Sequence, residues 1–293
     1  MISFVVGTLN RYRLLTKTIS SIRSEIDLVK IKYPEAICEI IIIDGGSDDG
    51  SVNWLSKQKD VITIIQHNRK LLNGRYVNLK SWGYFINLGF KIAQGKYICM
   101  LSDDCLIVPS SIVNAVTLFE MQLINQKKTG AVAFYWRNWP EQKEYWVGLT
   151  LGRKMFVNHG LFLTSAVKEV GYIDEQTFNF YHADGDLSLK LWLAGYECIA
   201  SPDSYIEHYY HTNTKLRTSN NTLQQKDWSN YLKKWQNVYS GYEGGWLRKE
   251  YDDPHKTYRK LYAYHLTRAI TYLLFLKSIM RKLIGNVIRD HYK

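Results

Sequence analysis

No stretch of this sequence reaches the ~18 consecutive apolar residues that a membrane-spanning helix needs. The first residues run straight into a strand-like segment, Ile2–Thr8, with no basic n-region and no apolar h-region, so no secretory signal is expected. The four cysteines (Cys38, Cys99, Cys105 and Cys198) are scattered, with no CxxC pair and no His/Cys spacing suited to zinc. Cys38, Cys99 and Cys198 fall in expected strands, as small core residues would. Free thiols in a reducing compartment follow. Internal repeats and low-complexity segments are absent too, which excludes solenoids and disordered tracts. The expected location is the cytoplasm, either free or peripheral on the cytoplasmic face of a membrane.

What is present is ordinary in bulk and uneven in detail. The chain has 293 residues, 46% hydrophobic and 22% charged, enough for one large α/β domain or a domain with an appendage. Its 22 Tyr and 9 Trp suit flat ligands such as sugar rings, but they are equally core and interface material. Of the net charge of +11, residues 255–293 carry +8, with nine Lys/Arg against Asp290 alone. The first 254 residues carry +3, so the chain has a basic tail and is not basic throughout. From Thr257 to Ile288 the spacing predicts an amphipathic helix, with Leu273, Met280 and Val287 on one arc and Arg268, Lys277 and Arg281 opposite. Its apolar arc has three candidate partners: an anionic membrane, a second subunit in a homo-oligomer, or the domain itself.

The first half alternates strand and helix patterns. Strands are expected at Ile2–Thr8, Cys38–Ile43, Val61–Gln66, Tyr97–Leu101 and Ala131–Tyr135. Helices are expected at Leu14–Val29, Ser51–Gln58, Asn78–Ala93 and Pro109–Asn125. Runs apolar on both faces, such as Cys38–Ile43, belong in a parallel sheet covered on both sides. The rhythm predicts an α/β doubly wound, mostly parallel sheet. Further on, strands are expected at Lys143–Gly148, Phe156–Thr164 and Glu197–Ala200, a short helix from Ser165, and a helix at Asp184–Ala194. The polar, aromatic-rich stretch 211–254 shows few periodic signals and is expected to be irregular with short helices.

Four loop clusters follow expected strands or open a helix: Thr8-Leu9-Asn10-Arg11, Asp44 to Ser51, Ser102-Asp103-Asp104, and Ala183-Asp184-Gly185-Asp186. Each has a plain explanation as a turn or a helix cap. Together they would bring up to seven carboxylates to one rim of one sheet, where open α/β folds bind ligands. Adjacent carboxylates repel unless a cation or strong donors sit between them. A metal-bound phosphate ligand gives such residues a reason to converge.

These clusters carry a resemblance. The chain resembles the inverting glycosyltransferases of GT-A fold, family 2, which include bacterial rhamnosyl- and other polysaccharide sugar transferases. Val5 to Arg11 resembles that family's first strand and T-x-N-R turn, and Ile41 to Ser51 its "hhhDGGSxDGS/T" segment. Gly83, Asn87 and Gly89 fit "G-x-x-x-N-x-G", and Ser102-Asp103-Asp104 stands at the D-x-D position. Gly171 to Glu175, Asp184 to Leu187 and Ala194-Gly195-Tyr196 follow the acceptor-side pattern. The likeness covers roughly residues 2–210. It divides the chain into a GT-A domain at 1–210, with a nucleotide half (1–105) and an acceptor half (106–210), the segment 211–254, and the tail 255–293. Two positions depart: Ser102 replaces the first Asp of D-x-D, and Ala183 replaces the Glu before the base.

The resemblance implies a donor of nucleotide-diphosphate sugar and an acceptor hydroxyl on a glycan or lipid-linked saccharide. Thr8, Asn10, Arg11, Asp44 and Asp103 would hold nucleotide and ribose, with Asn87 on the donor side. Asp104 and His208 would hold Mn2+ or Mg2+, the ions that oxygen-rich ligands favour. Asp184 would be the general base. Asp186 would support the helix start or orient the acceptor. Trp235, like Trp228 and Trp246, would stack on acceptor sugars or pack the appended segment. Other readings are a nucleotidyltransferase on a similar sheet and a non-catalytic carbohydrate-binding relative. Nucleic-acid binding is disfavoured, because the expected crevice is acidic.

Overall fold

The computed structural model describes residues 1–261, apart from 69, 73, 140, 141, 210–213 and 241–243. The first part of the chain runs β1 (Ile2–Thr8), α1 (Tyr12–Lys32), β2 (Cys38–Asp44), α2 (Ser51–Leu55) and β3 (Val61–Ile65). A small hairpin follows, β4 (Leu71–Leu72) with β5 (Arg75–Tyr76), then α3 (Trp82–Ile92) and β6 (Tyr97–Ser102). Strands β3-β2-β1-β6 lie side by side and parallel. In register, Thr8 stands beside Asp44 and Gly7 beside Ser102, so three strands end together at one rim.

Alternation along these strands explains why they are apolar on both faces. Val5, Ile41, Ile43 and Met100 belong to one core with Ile86 and Phe90 of α3. Phe4, Val6, Ile42 and Leu101 belong to a second core with Leu15 and Ile19 of α1. Each such side chain is fully buried and contributes about 1.5–3 kcal/mol. The glycine pattern in α3 has a packing cause. A Cβ at Gly89 would come within 2.6 Å of Val5 and 2.7 Å of Ile43, so only glycine lets the helix lie this close to the sheet.

Beyond β6 the chain forms β7 (Cys105–Ile107), α4 (Ser111–Ile124), β8 (Thr129–Trp139), β9 (Tyr145–Leu149), β10 (Gly160–Leu163), α5 (Thr164–Glu169) and α6 (Ala183–Leu193). β11 (Glu197–Tyr209), α7 (Thr214–Trp235) and β12 (Gly245–Lys249) complete the described elements used below. The main sheet runs β12-β9-β8-β10-β6-β1-β2-β3, and β11 pairs with β8 and β7. The sheet is mixed, because β10 is antiparallel to both neighbours and β9–β12 form an antiparallel flank.

Several expectations are corrected. The stretch 211–254 is not irregular: it contains the 22-residue helix α7 and adds β12 to the sheet edge. The expected short strand at Glu197–Ala200 continues to Tyr209 across a register shift, and this carries His208 to the rim. Asp103 and Asp104 do not cap α4. The cap is Glu25 of α1, whose carboxylate accepts from the N–H groups of Ser110 and Ile112, both at 2.8 Å. Of the tail helix, a 3-10 turn at Thr257–Leu261 is described, and 262–293 lies outside the described residues. No described helix is long and apolar enough to cross a membrane.

Candidate active site

The ends of β1 and β6 meet across a shared carboxylate pair. Thr8 Oγ1 donates to Asp103 Oδ2 at 2.8 Å, and Arg11 Nη1 donates to Asp103 Oδ1 at 3.1 Å. The same Nη1 contacts Asp104 Oδ2. Asp103 and Asp104 are both buried, and Arg11 is the cation between them. The nearby Asp103 charge, opposed by burial, raises the Arg11 guanidinium above its usual range. Burial pushes Asp103 up to about 6, with Arg11 pulling it down and Asp104 pushing it up. Burial also works against the charge on Asp104, but Arg11 and then His208 outweigh it and hold that carboxyl below the ordinary range.

On its far side Asp104 faces β11. His208 Nε2 lies 3.3 Å from Asp104 Oδ1, yet that buried oxygen accepts no hydrogen bond. His208 Nδ1 lies 2.8 Å from Asn138 Oδ1. An amide oxygen only accepts, so Nδ1 donates to it, and Nε2 faces Asp104, with which it forms an ion pair when the ring is protonated. A carboxylate oxygen and an imidazole nitrogen in this position would fit a divalent cation in place of the proton between them, and the outward N–H bond to Asn138 is the usual support of a metal-ligating histidine. Asp104 and His208, expected as the pair that holds a metal, are therefore brought together.

The glycine-rich loop is built around the same rim. Asp44 Oδ1 accepts from the N–H groups of Gly46 and Ser47, both at 2.7 Å, while its buried Oδ2 accepts nothing among the described residues. Asn10, at a positive φ of 53°, joins this loop from the first: its N–H donates to Ser47 Oγ and its Oδ1 accepts from the Asp48 N–H. Asp49 accepts from the Tyr12 N–H and from Ser51. The Asp49 carboxylate thus serves the loop itself. Gly46 is required here, since its φ is 92° and a Cβ would meet the His67 ring at 2.3 Å.

The acceptor-side motifs separate into an open residue and several supporting ones. Asp184, half-buried at the start of α6, accepts from Asn158 Nδ2 at 2.6 Å and from the Gly185 N–H at 2.9 Å. Asn158 precedes His159, whose ring packs against that of His208 at 5.7 Å between centroids. Asp186 is fully buried and turned to α7, where Lys234 Nζ lies 2.7 Å away and Trp235 Nε1 donates to it at 2.8 Å. Trp235 is itself buried, and this excludes stacking on an acceptor sugar. Trp228 is half-buried against Tyr231 and His182, whereas Trp246 is 46% exposed and lies edge-on to Trp146.

Asn87 also departs from expectation. Its Nδ2 donates to the Ile173 carbonyl and to Glu175 Oε2, and its Oδ1 accepts from the Ile173 N–H. It ties α3 to the 171–175 loop instead of pointing at a donor. Other supporting residues carried no sequence signal of their own. Asp227 of α7 accepts from the N–H groups of Asn179, Phe180 and Tyr181 and from the Asn179 side chain, holding the loop that enters α6. Arg137 and Glu207 form a buried two-bond pair between β8 and β11, one residue before Asn138 and His208.

Comparison with known proteins agrees with this geometry. Residues 3–122 match the family model described as glycosyl transferase family 2. Among solved structures, TarS 1–349 of S. aureus is similar with a TM-score of 0.52 and 12% identity, over 81% of this chain and 73% of that one. The same protein bound to UDP-GlcNAc gives 0.55 and 14%, over 79% and 66%. Mannosyltransferase PcManGT of Pyrobaculum calidifontis, in complex with GDP-Man and Mn2+, gives 0.53 and 15%, over 79% and 64%. Against a longer TarS chain, 36% of that protein is covered. No curated protein sequence matches. Residues 3–122 of this chain are thus similar to glycosyl transferase family 2, and the chain as a whole has a GT-A fold.

Proposed function

We propose that the protein is an inverting glycosyltransferase that moves a sugar from a nucleotide-diphosphate sugar to a hydroxyl of a glycan or lipid-linked saccharide, with Mn2+ or Mg2+ assisting. The observation that carries this reading is the buried Asp104 Oδ1 3.3 Å from His208 Nε2, on a rim that also holds Arg11, Asp103 and Asp44. The GT-A neighbours bound to UDP-GlcNAc and GDP-Man support a diphosphate donor. When bound, the cation would offset the charge that builds on the departing diphosphate.

The chain's own groups would do the rest. Asp44 Oδ2 and Asp103 offer acceptors to the base and ribose, and Thr8 and Arg11 hold Asp103 in place. Asp184 would take the proton of the acceptor hydroxyl as it attacks C1, because each of its oxygens keeps a lone pair beyond the one engaged by Asn158 or Gly185. Lys234, Trp235 and Asp227 would hold α6 so that Asp184 stays at the crevice. Residues 255–293 would attach the enzyme to an anionic membrane face, where lipid-linked acceptors reside; equal liposome flotation with and without them would remove that part.

A panel of nucleotide sugars read by thermal stabilisation, with Mn2+ and with EDTA, tests the whole. The expected result is one donor that raises Tm with Mn2+ and loses the effect on chelation. Stabilisation by none of them would contradict the reading.

A further inference from the structure

One cluster of ligating side chains is left over by sugar transfer. Cys105 on β7, His159 just ahead of β10 and His208 on β11 each offer one ligand atom, and these atoms all lie within 4.8 Å of one another. Cys105 Sγ is 3.7 Å from His159 Nε2. Metal–sulfur and metal–imidazole bonds of about 2.3 and 2.1 Å would set sulfur and nitrogen of a tetrahedral site roughly 3.6 Å apart. The cluster therefore stands close to coordination spacing as folded.

We propose that Cys105, His159 and His208 form a buried site for a borderline cation of the Zn2+ or Co2+ class, an alternative to the Asp104–His208 position at the rim, since Nδ1 of His208 is engaged by Asn138 and Nε2 can serve one ion at a time. Donor chemistry is the first reason. A thiolate and two imidazoles favour such ions over Mg2+ or Ca2+, which seek oxygen. Support of the ligands is the second. Thr18 Oγ1 donates to the Cys105 carbonyl at 2.8 Å, the Phe134 N–H donates to the His159 carbonyl at 2.9 Å, and Asn138 orients His208. Trp136 stands perpendicular to both imidazoles, at 5.9 and 5.5 Å between centroids, and walls the cluster off.

Access is the third reason. Cys105 and His159 are buried, but the His208 side chain is 17% exposed, which gives an ion a way in from the crevice. Three protein ligands leave a fourth position for water or for Asp104, the next residue along the chain. The competing explanation is a packed thiol–imidazole contact, which needs only Cys105 and His159 and gives His208 no part. The inference stands on this donor set alone and does not rest on sugar transfer.

The test uses the full-length protein, stripped with a chelator and titrated with Co2+ or with Zn2+ in competition with a chromophoric chelator, without nucleotide. The expected result is a single equivalent bound, with a near-ultraviolet thiolate-to-cobalt charge-transfer band. Cys105→Ser should abolish the band, and it and His159→Gln should each weaken Zn2+ binding about tenfold or more. Absence of the band in the unmodified protein, or Zn2+ affinity unchanged in a folded His159→Gln protein, would overturn the site. Should Cys105→Ser fail to fold, His159→Gln carries the test alone. Because no turnover is read, failure here is separable from failure of the donor panel.

Discussion

Arg11 is the residue on which the rim depends, because it is the cation that lets two buried aspartates stand side by side. Replacing it with glutamine would leave adjacent buried charges unpaired, a loss of about 3–5 kcal/mol. Urea unfolding of Arg11→Gln in chelator should show that loss, and Mn2+ should return part of it; wild-type stability in chelator would contradict the role. Asp184 is the other decisive residue. Asp184→Asn keeps an acceptor for the Gly185 N–H but cannot take a proton, so kcat should fall by about 10²–10⁴-fold with donor affinity unchanged. A variant with normal kcat would return the protein to a carbohydrate-binding role. At this scale the sequence was legible where the chemistry sits next to a strand end: Thr8, Arg11, Asp103, Asp104 and His208 were expected together and do meet. Asn87 differs from expectation, and of the two readings of Trp235 the structure bears out packing, because a polar or aromatic side chain in a motif looks the same whether it meets ligand or protein. Cys105 and His159 escaped notice because no local spacing joins positions 105, 159 and 208; only the pairing of β7 with β11 and of β8 with β10 does.

At the scale of elements, two carboxylates couple helices to their surroundings. Glu25 accepts both N–H groups at the start of α4, and burial pushes its carboxyl up to about 7, against the pull of those two bonds. A carboxyl raised in the folded state holds its proton more tightly there than when unfolded. Its contribution is therefore greatest below the unfolded value of 4.5 and is lost as pH rises toward about 7, a change of roughly 3 kcal/mol. Denaturant melts across that window should slope downward in the wild type and lose this component in Glu25→Gln; identical slopes would contradict it. Asp227 does the corresponding work for α7. Removing it in Asp227→Ala leaves three part-buried loop N–H groups and the Asn179 amide without their acceptor, at a cost of about 1–3 kcal/mol for each group that water does not reach. An unchanged Tm would show that the clamp contributes nothing. These couplings also explain what the sequence concealed. α7 reads as irregular because its stretch is mostly polar, and its apolar face is confined to Trp228, Tyr231, Leu232 and Trp235, which pack on the core beside the polar ties of Asp227 and Lys234. The strands of the parallel half were plain because both of their faces are buried.

For the whole molecule, the family match ends at residue 122 while the fold continues through a mixed sheet to β12. The donor half repeats a pattern that sequence alone makes visible. The acceptor half is assembled from long-range pairings, of which the thirteen-residue strand β11 is the main one, since it delivers Glu207 to Arg137 and His208 to Asp104. On the proposed reading, glycosyl transfer would draw on residues of both portions of the chain at one charged rim. The direct measurement is calorimetric affinity for the donor identified by the panel, in Mn2+ and in EDTA, for wild type and Asp104→Asn. The account predicts that Mn2+ tightens the wild-type complex by about tenfold or more, on the order of 1.4 kcal/mol, and leaves the variant unaffected. Equal affinity in Mn2+ and in EDTA for the wild type would contradict it.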